Sequence, residues 1–143
     1  MRMIPMSLLA AGCFLLVAAD AEAVKKEEAK LKGVWSLVSL VEPSGEKVPE
    51  EVVKDAKVVF NDGKMTVKIG GQDHQVVYKL DPGLKPPAID WTDEKGKVSK
   101  GIYELKGDDL KICGSGPDFE RPKDFKTNKE TKTGLIILKR DKP

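Results

Sequence analysis

From Gly33 onward the chain is a succession of short runs of β-forming residues, each closed by turn chemistry. No other feature limits its folding options as much. The runs are Gly33–Val41, Lys57–Phe60, Met65–Ile69, His74–Leu80, Ala88–Thr92, Val98–Leu105, Asp109–Cys113 and Gly134–Arg140. Alternation within them marks one apolar face each: Met65, Val67 and Ile69 stand against Thr66 and Lys68, and Val76, Tyr78 and Leu80 share a face, as do Tyr103 and Leu105. Asn61-Asp62-Gly63-Lys64 is a strong hairpin signal, because Asp-Gly supplies the two positive φ angles that a tight two-residue turn needs. Gly70-Gly71-Gln72-Asp73, Asp81-Pro82-Gly83 and Glu94-Lys95-Gly96-Lys97 turn the chain again. Pro49 to Lys54 reads as one helical turn, with Pro49 at its start and Glu50 and Glu51 suited to a helix N-terminus.

Eight consecutive strands with mostly short links solve their edge problem most simply by closing. The expected fold is therefore all-β, an eight-stranded up-and-down antiparallel barrel, ahead of a two-sheet sandwich. Val24 to Lys32 is rich in helix formers with little apolar face and predicts a short, exposed helix leading into it.

The N-terminus reads as an address. Arg2 is a short basic start, Met6 to Ala19 is almost uninterruptedly apolar, and Ala19-Asp20-Ala21-Glu22-Ala23 offers small residues at alternate positions. This is the layout of a signal peptide, residues 1–23, cleaved after Ala21 or Ala23, with the barrel domain over 24–143. The apolar stretch is shorter than the ~20 residues of a membrane-spanning helix, so no span is expected after cleavage. Leu9-Ala10-Ala11-Gly12-Cys13 also has the form of a lipoprotein box with Cys13 acylated, but Phe14 to Val17 continues the apolar run where a lipoprotein signal turns polar. An exported protein, periplasmic or extracellular, is the expectation. Cys113 is then the one remaining thiol, so no internal disulfide can form. It lies in a strand-like run with no histidine adjacent, which reads as a half-buried apolar residue and not a reactive thiol.

Gly33-Val34-Trp35 at the start of the first strand, with Arg140 closing the last, resembles the lipocalin superfamily signature. In that family the tryptophan packs across the closed end of the barrel and a late basic residue lies over its ring. A longer likeness runs through Leu31-Lys32-Gly33-Val34-Trp35, Val48-Pro49, Gly101-Ile102-Tyr103-Glu104-Leu105, Leu110 to Cys113, Arg121-Pro122 with Phe125, and Leu138-Lys139-Arg140. Together these resemble a lipocalin-like, calycin-type family of exported bacterial domains best known from planctomycetes. The resemblance implies a small barrel without catalytic residues and carries no assigned function.

The sequence offers little for other chemistries. His74 is the single histidine, and with Cys113 it falls short of the four ligands of structural zinc. Asp90, Thr92 and Glu94 alternate like calcium ligands, but Lys95 occupies the place of the tight-turn glycine. Cys113-Gly114-Ser115-Gly116 lacks the spacing of a nucleophile elbow, and no phosphate-binding glycine loop occurs. No cofactor, no metal and no enzymatic activity are expected. The net charge is only +2, lysines alternate with acids, and Arg121 and Arg140 are the only arginines beyond residue 23. Nucleic acid is therefore not an expected partner.

Two regions could bind. Trp35, Phe60, Val67, Tyr78, Trp91 and Tyr103 are candidates for the barrel interior, with the parity of Trp91 left open. They either fill a solid core or line a cavity for a small apolar or amphipathic ligand, oriented by the hydroxyl of Tyr78 or Tyr103. The polar segment Gly114 to Thr133 carries Phe119, Arg121 and Phe125. It either lids the barrel mouth, presents those three residues to a protein partner in the envelope, or tucks its phenylalanines in to close one end. The expected function is non-covalent carriage of a small ligand by a monomer; the alternative is a solid module that binds a protein partner through the 114–133 segment.

Overall fold

The computed structural model describes residues 21–142. The expected signal segment lies outside the described residues up to position 20, as does Cys13. Helix α1 covers 21–31. Strands β1 (Gly33–Val41), β2 (Lys57–Asn61), β3 (Lys64–Ile69), β4 (Gln72–Asp81), β5 (Ala88–Thr92), β6 (Val98–Lys106), β7 (Asp109–Gly114) and β8 (Gly134–Arg140) follow, with the single turn α2 (Glu50–Val53) between β1 and β2. The strands form a closed barrel in which each pairs antiparallel with its sequence neighbours and β8 pairs back onto β1. An up-and-down barrel is thus the architecture, and closure leaves no strand edge unpaired.

The hairpin chemistry sits where the turns need it. Asp62 and Gly63 adopt φ of 48° and 80°, and Gly70 and Gly71 adopt 61° and 78°, the paired positive angles that match the twist of flanking strands. One irregularity interrupts the ladder. The register of β1 against β8 shifts between Leu37 and Ser39, so Val38 bulges outward and the side chain that next faces the interior is Leu40.

The two ends of the barrel differ. At one, α1 and the β2–β3, β4–β5 and β6–β7 connections close the interior. Trp35, Phe60, Tyr78, Leu80, Ile89 and Tyr103 fill it there, all below a tenth exposed. Phe60 and Tyr78 meet edge to face, their ring centres 5.3 Å apart. Helix α1 is more than an exposed lead-in, because its last residue, Leu31, is fully buried and its carbonyl accepts the Trp35 indole N–H at 2.8 Å. Gly33 makes this entry possible: its φ of 129° lies in a region closed to side chains.

Candidate functional site

The open half of the barrel holds a cavity of about 180 Å³. It lies between the packed aromatic layer and the end formed by the β3–β4 and β5–β6 hairpins. Eleven side chains line it: nine are aliphatic, and Met65 and Trp91 complete the wall. Leu37 and Leu40 reach it from β1 on either side of the Val38 bulge, which is how two residues three apart face the same space. Leu40, Val67, Ile69, Val76, Trp91 and Ile136 are only partly buried, so the cavity communicates with solvent through an apolar rim. Among the described residues no carboxylate, amine, hydroxyl or amide side chain lines this space. Affinity here can come only from desolvation and contact.

The six interior candidates read from the sequence divide in two. Val67 and Trp91 line the cavity. Trp35, Phe60, Tyr78 and Tyr103 point inward but belong to the packed closed half and contribute no surface to it. The two tyrosines therefore offer no hydroxyl at the cavity wall. Burial, with Glu28 and Asp62 nearby, pushes Tyr78 up to about 12, and burial with Glu27 and Asp81 nearby raises Tyr103 as well. The Tyr103 hydroxyl is buried with no hydrogen-bond partner among the described residues.

Trp91 faces inward because Ile89 and Trp91 fall on the interior side of β5 while Asp90 falls outside, in register with Lys79 and Lys100. Its indole lies against Gly101 of β6 and Gly114 of β7, which are themselves a cross-strand pair. The sequence pattern missed this seat. Two glycines in separate runs signal it only once the register brings them together beneath one ring.

The 114–133 segment does not reach the cavity: none of the lining residues comes from it. It lies instead over the outer face of β5–β7, where it covers Ala88, Ile102 and Cys113, each no more than 2% exposed. Arg121 fastens it. Its guanidinium donates to both carboxylate oxygens of Asp90, at 2.5 and 3.3 Å, and to the Gly101 carbonyl at 2.8 Å. Ser115 and Thr133 hydroxyls meet at 3.1 Å at the base of the segment. Phe125 packs under the Lys111 ammonium, and Phe119 lies beside Gly116 at a shallow, mixed-polarity groove bordered by Gly96–Val98. Cys113 is fully buried, beyond the half-burial its sequence suggested, with Sγ 3.5 and 3.6 Å from the Asp124 and Lys126 carbonyls. Burial and Asp124 push its thiol up to about 11, the opposite of an activated nucleophile.

Among the described residues no group of three or more His, Cys, Asp or Glu side chains is placed to hold a metal ion, and no helix is long and apolar enough to cross a membrane. Comparison with protein-family models, curated proteins and solved structures gives no match.

Proposed function

We propose that this protein is an exported, lipocalin-like carrier that holds a small apolar molecule, or the apolar tail of an amphiphile, non-covalently in the open half of its barrel. The observation that carries this reading is the cavity itself: eleven apolar side chains around about 180 Å³ of space at the end of the barrel away from α1. Proteins close-pack their interiors, and unfilled apolar space forfeits dispersion contacts that a ligand would restore. Beneath the cavity the same barrel is packed with buried aromatic and aliphatic side chains, so the space above is not a general property of the interior. The Gly33-Val34-Trp35 entry with Arg140 over the Trp35 ring supports the lipocalin likeness. The N-terminal apolar segment supports export. The alternative, a solid module that binds a protein partner through Phe119, Arg121 and Phe125 of the 114–133 segment, fits less well, because the barrel holds a cavity and the Arg121 guanidinium is engaged by Asp90 and Gly101. Binding without chemical conversion is the activity we assign.

Native mass spectrometry of protein exported to a bacterial periplasm and purified without detergent tests the reading. A reproducible added mass, released on denaturation, is the expected result and identifies the cargo class. A bare polypeptide mass that also fails to shift on addition of single-ring hydrocarbons or short alkanoates would overturn it.

A further inference from the structure

We infer that Trp91 sets the size of the apolar group this barrel accepts, limiting it to one ring or a short alkyl chain, and that Gly101 and Gly114 are the residues that hold the indole back to leave that much room. The inference rests on the carrier reading above. Trp91 is the only aromatic among the lining side chains. A Cβ at Gly101 would stand 2.9 Å from Trp91 Cζ3 and 3.2 Å from Cη2, and one at Gly114 would overlap the ring outright. Neither glycine has a left-handed φ, so conformation does not require glycine at either position. Space does: at Gly114 the indole alone excludes a side chain, and at Gly101 a Cβ would also stand 2.8 Å from the Cys113 carbonyl oxygen. With both Cβ atoms absent, the six-membered ring of the indole sits close against the β6 and β7 backbones; a side chain at Gly114 would drive it toward the barrel axis and into the cavity.

The remaining volume defines the ligand. An apolar cavity of about 150 Å³ accepts a benzene ring, and the space here is about 180 Å³. The aromatic layer of Tyr78 and Phe60 closes it toward α1, so a longer group cannot extend downward. The indole is the largest side chain in the wall, and its removal would join the space it occupies to the cavity without moving a strand. Among the described residues the wall offers no charged, hydroxyl or amide side chain, so a head group, if the ligand has one, stays at the rim in water.

The test is calorimetric titration of the wild-type protein, Trp91→Ala, Trp91→Leu and Gly114→Ala with straight-chain alkanoates from butanoate to dodecanoate, folding of each variant being checked by circular dichroism. Affinity rises roughly fourfold for each methylene that is buried. In the wild type the rise stops at a short chain, once the cavity is full. In Trp91→Ala and Trp91→Leu it continues to longer chains, and in Gly114→Ala it stops earlier or binding is lost. The double variant Trp91→Ala/Gly114→Ala recovers binding that Gly114→Ala loses, because no ring remains to be displaced. If both Trp91 variants plateau at the wild-type chain length, the size assignment is wrong while the carrier reading stands. If no alkanoate gives saturable heat with any of the proteins, the carrier reading falls and the size assignment with it.

Discussion

The guanidinium of Arg140 lies over the indole of Trp35, its central carbon 4.3 Å from the ring centre. From there it donates to the Lys30 and Lys32 carbonyls at the C-terminal end of α1. One residue at the end of β8 thus closes the barrel against β1, stacks on the plug and satisfies a helix terminus whose carbonyls carry partial negative charge. The Trp35 indole N–H completes the arrangement by donating to Leu31. The cavity lies above this closed end and depends on it as a floor.

Trp35→Ala removes a fully buried indole from that floor, leaves the Leu31 carbonyl without the indole N–H and takes away the ring on which the Arg140 guanidinium stacks. The expected loss is about 3–5 kcal/mol. Arg140→Ala, which keeps the ring, costs less, about 1–2 kcal/mol. Urea unfolding midpoints of the two variants check both values. Similar, small shifts for the two would contradict the assignment of Trp35 as the plug.

Arg121→Ala releases the 114–133 segment from the outer face of the barrel while leaving the interior intact. The ion pair with Asp90 is partly exposed, with side-chain accessibilities of 27% and 34%. Solvent screening therefore holds its contribution to about 1 kcal/mol. The more sensitive readout is Cys113, which the segment covers. Its labelling by a thiol-specific disulfide reagent should quicken roughly fivefold in the variant, the factor equivalent to about 1 kcal/mol of local opening. Unchanged labelling would show that the segment is held by something other than Arg121.

Stability should fall in alkali earlier than loss of ordinary surface charge would explain. The Cys113 thiol is raised from 9.0 to about 11 by burial and by Asp124, and the Tyr78 hydroxyl from 10.0 to about 12 by burial, Glu28 and Asp62. Both groups bind their proton more tightly in the folded protein. Their contribution is complete below the unfolded values and is lost as pH rises toward the folded ones, so the decline begins near pH 9. Tyr103, raised in the same sense, steepens it. Cys113→Ala should move the onset upward toward pH 10, where Tyr78 begins to contribute. At the acid end Asp141 acts with the opposite sign. Hydrogen bonds from Lys57 and Ser36 lower it, so its contribution is present above the ordinary value of 3.8 and disappears as pH falls through the lowered one. Urea midpoints across the pH range give both limbs.

Much of this was legible in the chain, and the reasons are local. Each hairpin carries its own turn residues, and each strand shows its buried face by alternation, so eight strands and their order follow from neighbours in sequence. The Pro49 turn is legible for the same reason, since proline and two glutamates specify a helix start without help. What was hidden depends on residues far apart. The burial of Leu31 depends on Trp35 and Arg140 folding back over α1. The division of six interior candidates into a packed layer and a cavity wall depends on depth along the barrel axis, which period-2 patterning does not encode. The Gly101–Gly114 seat appears only when β6 and β7 are in register. Arg121 looked available because its partner Asp90 lies thirty-one positions earlier, on a strand whose outer face the sequence could not assign.

Binding of a small apolar group in the open half of the barrel underlies both the carrier role and the part given to Trp91. Methyl-resolved NMR during titration with toluene, a single-ring probe matched to the cavity, reads that binding residue by residue. Saturable shifts are expected at Leu37, Leu40, Val67, Ile69, Val76 and Ile112, with Leu31 and Leu80 of the closed half unmoved. Shifts that never saturate, or that scatter over exposed Val34, Val77 and Val98, would contradict it.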